Sequence, residues 1–340
     1  MSATTTSDEI PLSQPVSGLR PVNLRTDLAE LADLIEMAFA DTMDSNGRAA
    51  IREMRSLSHM GGIGLNLLIG MNDLSQGVGL GYVWVEDGHV IGNTSIYPAQ
   101  LPHGAPKTWI IANVAVHPTY RGRGIARALV QTSMDTIRTQ SRRHPRAILQ
   151  VEQPNIVART LYEKLGFVED GTWTSWRRSG AARIPPPLAN QSVYITQRTG
   201  REWHAELELA SHVRPPERGG IGWLRPLTLS LFRRPWWTML GDMFNMRSME
   251  RLIIRSDDGL RAAMWIESGF GTSSTQVTLL CPPDDIAESG EALLHLALRR
   301  YSGRAPLHIE HPADDEAMTS LLQKYHFIPV RKLVHMRWEG

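Results

Sequence analysis

The chain has 340 residues, which is enough for two ordinary domains. Hydrophobic residues make up 42% of it and charged residues 21%, as in soluble globular proteins, and a formal net charge of +1 gives no electrostatic reason to bind nucleic acid or a membrane surface. The single cysteine, Cys281, excludes an intramolecular disulfide and a cysteine-based zinc site and is typical of a reducing compartment. The scattered histidines make any other metal site improbable.

The first residues predict no folded structure. The segment 1–17 is polar and contains two prolines, so we expect a disordered tail and not a secretory signal peptide. No uninterrupted apolar run approaches the ~20 residues that a membrane-spanning helix requires. These features predict a soluble cytoplasmic protein.

Strand-like and helix-like patterns alternate after the tail. The segment Leu19–Leu24 suits a short strand, and the spacing of apolar residues predicts a helix over Asp27–Ala40. Residues 44–76 are rich in Met and Gly with broken periodicity, which favours a helix and a loop that is either a substrate lid or ordinary core. Two apolar runs then meet at Asp87-Gly88, a turn signal, and predict a hairpin.

A second series of elements surrounds a turn rich in glycine and arginine. A strand that begins at Thr108 ends at Pro118, which has no N–H for a ladder, and a helix is predicted from about Ile125 to Gln140. The next three segments predict a strand, a helix that ends at a glycine, and a final hairpin; they read "RAILQVEQP", "NIVARTLYEKLG" and "FVEDGTWTSWRR". Three successive prolines within 181–190 predict a linker between two domains.

The order of elements partly recurs beyond the linker. A strand, a helix and a terminal strand pair are predicted from "APLHIEHP", "DEAMTSLLQKYH" and the residues that follow. Similar residues recur at similar spacing in the two halves, namely Glu152 and Glu310, Pro154 and Pro312, Lys164 and Lys324, Phe167 and Phe327, and Trp176 and Trp338. We interpret this as a diverged internal duplication, with chance similarity of two strand–helix–strand units as the alternative.

An aromatic and basic stretch, Phe232–Phe244, lies in the second half. Interleaved Arg and Trp can stack on nucleobases or line a cation pocket. Because the net charge is near zero, an aromatic anchor between domains is the simpler interpretation.

The segment "VHPTYRGRGIARALV" places two glycines and two arginines where a strand gives way to a helix. Unpaired N–H groups and the helix dipole at such a position favour an anion, most often a phosphate. Glycine lets the backbone approach the ligand, and arginine adds charge-assisted hydrogen bonds to phosphate oxygens. A solvated basic turn that binds nothing is the alternative that these residues leave open.

Two blocks together resemble the GCN5-related N-acetyltransferase (GNAT) family. The residues 121–126, Arg-Gly-Arg-Gly-Ile-Ala, are similar to the family's Arg/Gln-x-x-Gly-x-Gly/Ala signature. The second block has the pattern N-x-x-A-x-x-L-Y-E-K-x-G-F, matched by Asn155, Ala158, Leu161, Tyr162, Glu163, Lys164, Gly166 and Phe167. The resemblance covers roughly 18–180. It implies an α/β (α+β) architecture of two tandem GNAT-like domains, 18–180 and 191–340, each a mixed, centrally splayed sheet flanked by helices.

The resemblance also implies roles for individual residues. Acetyl-coenzyme A would be the co-substrate, with its pyrophosphate on the turn formed by Arg121, Gly122, Arg123, Gly124, Ile125 and Ala126. Main-chain groups of Val114, Ala115 and Val116 would pair with the pantetheine arm. Tyr162 would protonate the leaving thiolate, for which a phenol of ordinary pKa ≈ 10 is a plausible acid, with packing as its alternative role. Asn155 would cap its helix, contact the cofactor, or do both.

The attacking amine must lose a proton, so a general base or a water chain is needed. Glu152, at the end of its strand, and His117 are the candidates; members of the family with a glutamate on the earlier strand would have it near Asn113, which is an amide here. The recurrence of Glu152 as Glu310 favours a structural role for the carboxylate.

We expect the second half to bind no coenzyme A. It has Asp284, Asp285 and Glu288 where the glycines and arginines should stand, and Leu322 where the tyrosine should stand. The predicted function is acetyl transfer from acetyl-coenzyme A to a primary amine of a small molecule or peptide. We expect no metal cofactor and no nucleic-acid or membrane partner. The protein would be either a monomer whose two halves form an internal pseudo-dimer or a homodimer. A non-catalytic acyl-coenzyme A-binding regulatory module is the alternative, and tandem transferases that use aminoacyl-tRNA fit the intact turn less well.

Overall fold

The computed structural model describes residues 17–41, 43, 45–59, 80–99, 106–141, 143–189, 193–215, 220–221, 227–233, 247–269, 274–301, 303 and 305–340. The predicted tail up to residue 16, most of the Met- and Gly-rich loop, and residues 234–244 of the aromatic and basic stretch lie outside these ranges. Within them, no helix is both long and apolar enough to cross a membrane.

The helices and strands follow one another in the order that the sequence predicts, except at the two terminal hairpins. The described helices are α1 Leu24–Ala38, α2 Ser45–Ser58, α3 Ile125–Ser141, α4 Ile156–Lys164, α5 Trp203–Val213, α6 Leu229–Phe232, α7 Glu291–Tyr301 and α8 Glu316–Lys324. The strands are β1 Gly18–Pro21, β2 Gly81–Glu86, β3 His89–Pro98, β4 Thr108–Val116, β5 Arg146–Glu152, β6 Val168–Arg178, β7 Ile195–Gln197, β8 Arg247–Ser256, β9 Gly259–Gly269, β10 Thr275–Leu280, β11 Leu307–Pro312 and β12 Ile328–Glu339.

Contacts divide the chain into two compact units. The first consists of Met1–Tyr97 and Ile110–Gln140, and the second of Pro98–Trp109 and Ser141–Gly340. The proline-rich segment 181–190 falls inside the second unit, where the Pro186 carbonyl lies 2.6 Å from the Nε2 atom of His295. The compact units are defined by contacts, whereas the predicted domains are the two duplicated halves of the sequence. The division of those halves at 181–190 therefore stays a prediction.

In the first unit the strands lie in the order β1-β2-β3-β4. Alternate residues of β2 face opposite sides, because successive side chains of a strand point to opposite faces. Val83 and Val85 pack in one buried cluster with α1, while Tyr82 and Trp84 pack in another with the start of α3. The sheet is therefore covered by α1 on one face and by α3 on the other.

In the second unit the order is β5-β12-β6-β11-β10-β9-β8-β7. The strands β10 and β11 pair in parallel from Thr275 to Val277, and beyond that point they are no longer partners. A pair of parallel strands that separates towards its carboxyl ends is the splay expected for each half, and here it is seen in the second half.

The two predicted terminal hairpins are wrong. Each is one long strand: β6 pairs with β11 and β12, and β12 pairs with β5 and β6. The Asp170-Gly171 step suggested a turn, but ladder bonds on both edges of β6 outweigh this local preference and Gly171 keeps an ordinary strand backbone. The last strand of the second half is thus inserted between two strands of the first half.

The strand–helix–strand segments of the two halves match in local detail. Asn155 caps α4 by accepting a hydrogen bond from Ala158 N at 3.1 Å, and Asp315 caps α8 by accepting one from Met318 N at 2.9 Å. Both helices have 9 residues. These matches support the duplication inferred from the sequence.

Candidate functional site

The strand β4 is kinked before it reaches the glycine–arginine turn. Asn113 has a φ of 52°, a left-handed conformation that asparagine tolerates better than most residues. Its carbonyl accepts a hydrogen bond from Asn93 Nδ2 at 3.0 Å, and its own Nδ2 donates to Ser95 Oγ at 3.2 Å. This anchored irregularity precedes the segment 114–116, whose main-chain groups the resemblance assigns to pantetheine.

The turn itself depends on two glycines. A short 3₁₀ turn at Pro118–Tyr120 leads into it, and Gly122 and Gly124 both have a φ of +80°. Other L-residues are strained in this region of backbone space, so glycine is required at both positions. A Cβ atom built on either glycine would meet nothing within 4 Å, which means that this side of the turn is open space.

The N–H groups of residues 122–127 make no hydrogen bond to any residue that the structure describes. The first helical bond here is donated by Ala128 N to Gly124 O at 3.0 Å. These donors stand at the positive end of α3, a helix of 17 residues. A row of free backbone donors with left-handed glycines at a helix N-terminus is an anion-binding arrangement.

The two arginines of the turn are held by neighbouring groups. Arg123 Nη1 lies 3.0 Å from Glu86 Oε1 in the β2–β3 hairpin, and its guanidinium lies over the ring of Tyr120. Arg121 Nε donates to Val116 O at 3.2 Å. Both guanidinium groups are therefore positioned beside the free N–H groups without occupying them.

Sequence reasoning did not identify Gly92, which sets the position of the turn. A Cβ on this residue of β3 would come within 2.9 Å of Ile125 Cγ2 and 3.1 Å of Leu129 Cδ1. Glycine thus allows the first turn of α3 to pack closely on the sheet. A glycine within an otherwise strand-like pattern is the signal that could have suggested this close approach.

Tyr162 lies on α4 in the second unit and is buried, with 6% of its surface exposed. Its ring packs edge-on against Phe167, with the centroids 5.9 Å apart. Burial raises the pKa of the Tyr162 phenol above its usual value, so the group stays protonated at neutral pH. Its hydroxyl has no hydrogen-bond partner among the described residues, which suits a donor that serves a ligand.

The other predicted residues of the second unit have identifiable partners. Asn155 is confirmed as the cap of α4, and its own N–H donates to Glu152 O at 2.9 Å. The Glu152 carboxylate accepts a hydrogen bond from Arg331 Nε. This ion pair with the second half of the chain favours the structural role of Glu152 over the role of general base.

His117, the second candidate base, lies in the first unit at the end of β4. Its backbone N–H donates to Ile91 O at 2.8 Å, and its imidazole ring packs edge-on against Tyr120. Its Nδ1 atom is buried without a hydrogen-bond partner.

The matched positions of the second half have different chemistry. Leu322 occupies the position of Tyr162: Phe327 N donates to Leu322 O at 3.0 Å, as Phe167 N does to Tyr162 O. At the matched turn, Asp285 and Glu288 form ion pairs with Arg261 at 2.6 Å and 2.7 Å. Carboxylates at this position would repel a pyrophosphate.

The predicted site residues therefore form two groups. The residues from Val114 to Ala126 are continuous on the β4–turn–α3 segment of the first unit. Glu152, Asn155 and Tyr162 lie on the β5–α4 segment of the second unit. Among the described residues, no cluster of three or more His, Cys, Asp or Glu side chains is placed to hold a metal ion.

Known proteins resemble this chain in sequence and in structure. Residues 66–167 match the model of the Acetyltransferase (GNAT) family. N-acetyltransferase 8B of Rattus norvegicus is 32% identical over 106 residues, which are 30% of this chain and 47% of that protein, so the match spans about half the length of this relative.

Two solved structures share the fold over nearly the whole chain. A tandem GNAT protein from the clavulanic acid biosynthesis pathway has a TM-score of 0.57 at 16% identity, with 94% of this chain and 98% of that chain covered. A GCN5-related N-acetyltransferase from Sphaerobacter thermophilus has a TM-score of 0.61 at 15% identity, with 94% and 95% covered.

Proposed function

We propose that the protein transfers an acetyl group directly from acetyl-coenzyme A to a primary amine of a small molecule or peptide. The match of residues 66–167 to the GNAT family model and the fold shared with a tandem GNAT protein support this proposal. The cofactor would be held by the first half. The observation that carries the proposal is the row of unpartnered N–H groups at residues 122–127.

The turn fits the pyrophosphate of coenzyme A in three respects. Its free amides supply hydrogen-bond donors, its glycines leave open space beside the backbone, and Arg121 and Arg123 lie next to it with positive charge. In this proposal the main chain of Val114, Ala115 and Val116 holds the pantetheine arm, and Asn155, whose side chain caps α4, contributes to the cofactor site through its remaining polar atoms.

The bound co-substrate would supply an activated acetyl group as a thioester. Tyr162 would donate a hydrogen bond, and then its proton, to the sulfur as the bond to the acetyl group breaks. Because burial raises the pKa of this phenol, the group keeps its proton and can donate a hydrogen bond to the sulfur as the thiolate forms. The hydroxyl of this buried tyrosine has no partner among the described residues and is available for this task.

The acceptor amine must reach the site without its extra proton. His117 and water remain as the proton acceptors of this proposal, because the Glu152 carboxylate is engaged by Arg331. We therefore retain Glu152 in the site as a charged group beside the acceptor and assign proton removal to His117 or to water.

The proposal is tested by release of free thiol from acetyl-coenzyme A in the presence of polyamines, aminoglycosides, amino acids and peptides. We expect amine-dependent thiol release, and calorimetry should show that the protein binds coenzyme A. Tight binding without thiol release for any amine would instead support a non-catalytic binding module. Failure to bind coenzyme A would refute the proposed use of the turn.

A further inference from the structure

The end of β5 carries polar residues on one face of its sheet. Glu152 is opposite Leu333 of β12, and Gln150 is opposite His335. Because alternate residues share a face, Arg331 lies on this same face, one diagonal step from Glu152. We call this surface the β5–β12 polar face. It consists of Gln150, Glu152, Arg331 and His335, with the apolar Leu333 between them.

The helix α4 packs on the other face. The buried residues of β5 are Ala147, Leu149 and Val151, which alternate with Gln150 and Glu152. Trp338 is opposite Ala147, and its ring contacts Phe167, which in turn contacts Tyr162. Tyr162, which would donate to the leaving sulfur, therefore packs on the face of the sheet opposite the β5–β12 polar face.

Arg331 is held at one edge of its guanidinium. Its Nε donates to the Glu152 carboxylate, and its side chain remains 38% exposed. Its Nη1 and Nη2 atoms have no hydrogen-bond partner within the part of the chain that the structure describes. An arginine fixed through Nε presents two parallel N–H donors from its far end, which is the geometry that binds a carboxylate through both oxygens.

The two halves of the chain differ at this point. Glu310, the residue that matches Glu152, accepts a hydrogen bond from Ser175 Oγ at 3.2 Å and has no arginine in that position. The arginine is present beside the strand that leads to Tyr162 and absent beside the strand that leads to Leu322. A purely structural role in the sheet would not require this difference.

We propose that Arg331 binds a carboxylate of the acceptor, so that the preferred acceptors are primary amines that also carry a carboxylate, such as amino acids. This inference rests on the proposed function. Glu152 belongs to the proposed acceptor site, and an acceptor amine beside it would also reach the free end of Arg331, which is held by Glu152. Arg331 would thus contribute specificity from the second half, and Glu152 would be a positioning residue that orients it.

The test compares L-amino acids with their own carboxamides as acceptors in the thiol-release assay. We expect the wild-type kcat/KM to be about tenfold or more higher for the acid of each pair, since a charge-assisted hydrogen bond contributes that much discrimination. Arg331→Met should reduce this ratio to about one through KM, and Arg331→Lys should restore only part of it because lysine lacks the planar fork. Amines that carry a phosphonate show whether the site accepts any anion or a carboxylate in particular.

The matched control is Lys332→Met, which removes the same charge from the next residue of β12, on the other face of the sheet. It should leave the acid-to-amide ratio unchanged. Circular dichroism and affinity for coenzyme A establish that each variant is folded.

The variant Glu152→Gln distinguishes a positioning role of Glu152, which acts through Arg331, from a role as general base. A positioning role predicts a smaller acid-to-amide ratio, expressed through KM, with the pH profile unchanged, whereas a general base predicts an equal fall in kcat for every amine with the ratio kept and an altered pH profile. Equal use of acids and amides by the wild type, or acetylation of only those amines without a carboxylate, would overturn the assignment of Arg331 while the proposed function stood. Absence of thiol release with every amine would refute both.

Discussion

Backbone conformation at single residues determines the glycine–arginine turn. Gly122 and Gly124 have left-handed backbones that place N–H groups without a described partner beside open space, and most other residue types are strained in this conformation. The requirement could be predicted from the sequence, because glycine at fixed spacing before a helix is a local signal. The sequence could not predict which N–H groups remain without a partner, because that depends on every potential acceptor nearby.

Gly124→Asp should reduce the affinity for coenzyme A by about 100-fold or more. The substitution adds about 1–3 kcal/mol of backbone strain and places a negative charge beside the pyrophosphate. The measurement is isothermal titration calorimetry with coenzyme A. The matched control is Gly200→Asp, at a glycine that also has open space around it but lacks a positive φ. Unchanged affinity in Gly124→Asp would refute the assignment of the turn.

Tyr162→Phe should lower kcat about 100-fold, the lower range for a lost general acid, with the affinity for coenzyme A retained. Because burial raises the pKa of the phenol, the acid form persists as pH rises, so the wild type should show no loss of kcat from tyrosine ionisation up to about pH 10. Single-turnover rates measured against pH test both statements. Tyr194→Phe, at a tyrosine that is 82% exposed, is the control, and a full single-turnover rate in Tyr162→Phe would exclude the acid role.

His335 should make the stability of the fold depend on pH. Burial lowers its pKa to about 4, and Gln150 Nε2 lies 2.8 Å from its Nε2 atom, which therefore accepts a hydrogen bond and carries no proton. The unfolded chain binds a proton near pH 6.5, so this contribution is fully present above that pH and is lost as pH falls towards 4, by about 3 kcal/mol in total.

Urea unfolding at a series of pH values between 7 and about 4 measures this effect. The variant His335→Gln should flatten the dependence, whereas His212→Gln, at an exposed histidine, should not. An unchanged slope in His335→Gln would show that the imidazole of His335 is not the group responsible.

At the scale of elements, sequence patterns identified most helices and strands because their signals are local. The helical spacing of Leu28, Leu31 and Ile35 predicts the buried side of α1, and Asn155 predicts the start of α4 through its capping side chain. The predictions failed at β6, which contains the turn-like Asp170-Gly171 dipeptide, and at β12, which is one long strand and not a strand pair. Pairing on both edges decided the outcome there, and pairing partners are remote in sequence.

Close packing of elements was also outside the reach of sequence reasoning. Gly92 permits the approach of α3 to β3, and its importance follows from the 2.9 Å distance that a Cβ would have to Ile125. Such a constraint involves two segments 33 residues apart in the chain, so no pattern within either segment contains it.

At the scale of the whole molecule, the two halves cannot be separated without exposing strand edges. The strand β12 lies between β5 and β6, and β6 lies between β12 and β11, so each half completes the sheet of the other. The free edges that separation would expose favour aggregation. This exchange supplies a reason for the second half to persist although its matched turn is acidic.

A fragment of residues 1–190 should therefore be insoluble or unfolded when expressed by itself, and co-expression with residues 191–340 should restore a soluble complex. In the intact protein, cleavage at a protease site inserted at 190 should leave the two pieces associated in gel filtration until denaturant is added. Circular dichroism and gel filtration provide the measurements. A monomeric, cooperatively folding 1–190 fragment would contradict the structural dependence.

The sequence by itself determined the glycine–arginine turn, the tyrosine-bearing helix with its Asn155 cap, and most of the order of the elements, because each depends on residues within a few positions of one another. Only the tertiary structure decided that β12 enters the first half, that Arg331 engages Glu152, and that Gly92 admits α3. These contacts join segments that are distant in the chain, and their selection depends on burial and pairing energies summed over the whole fold.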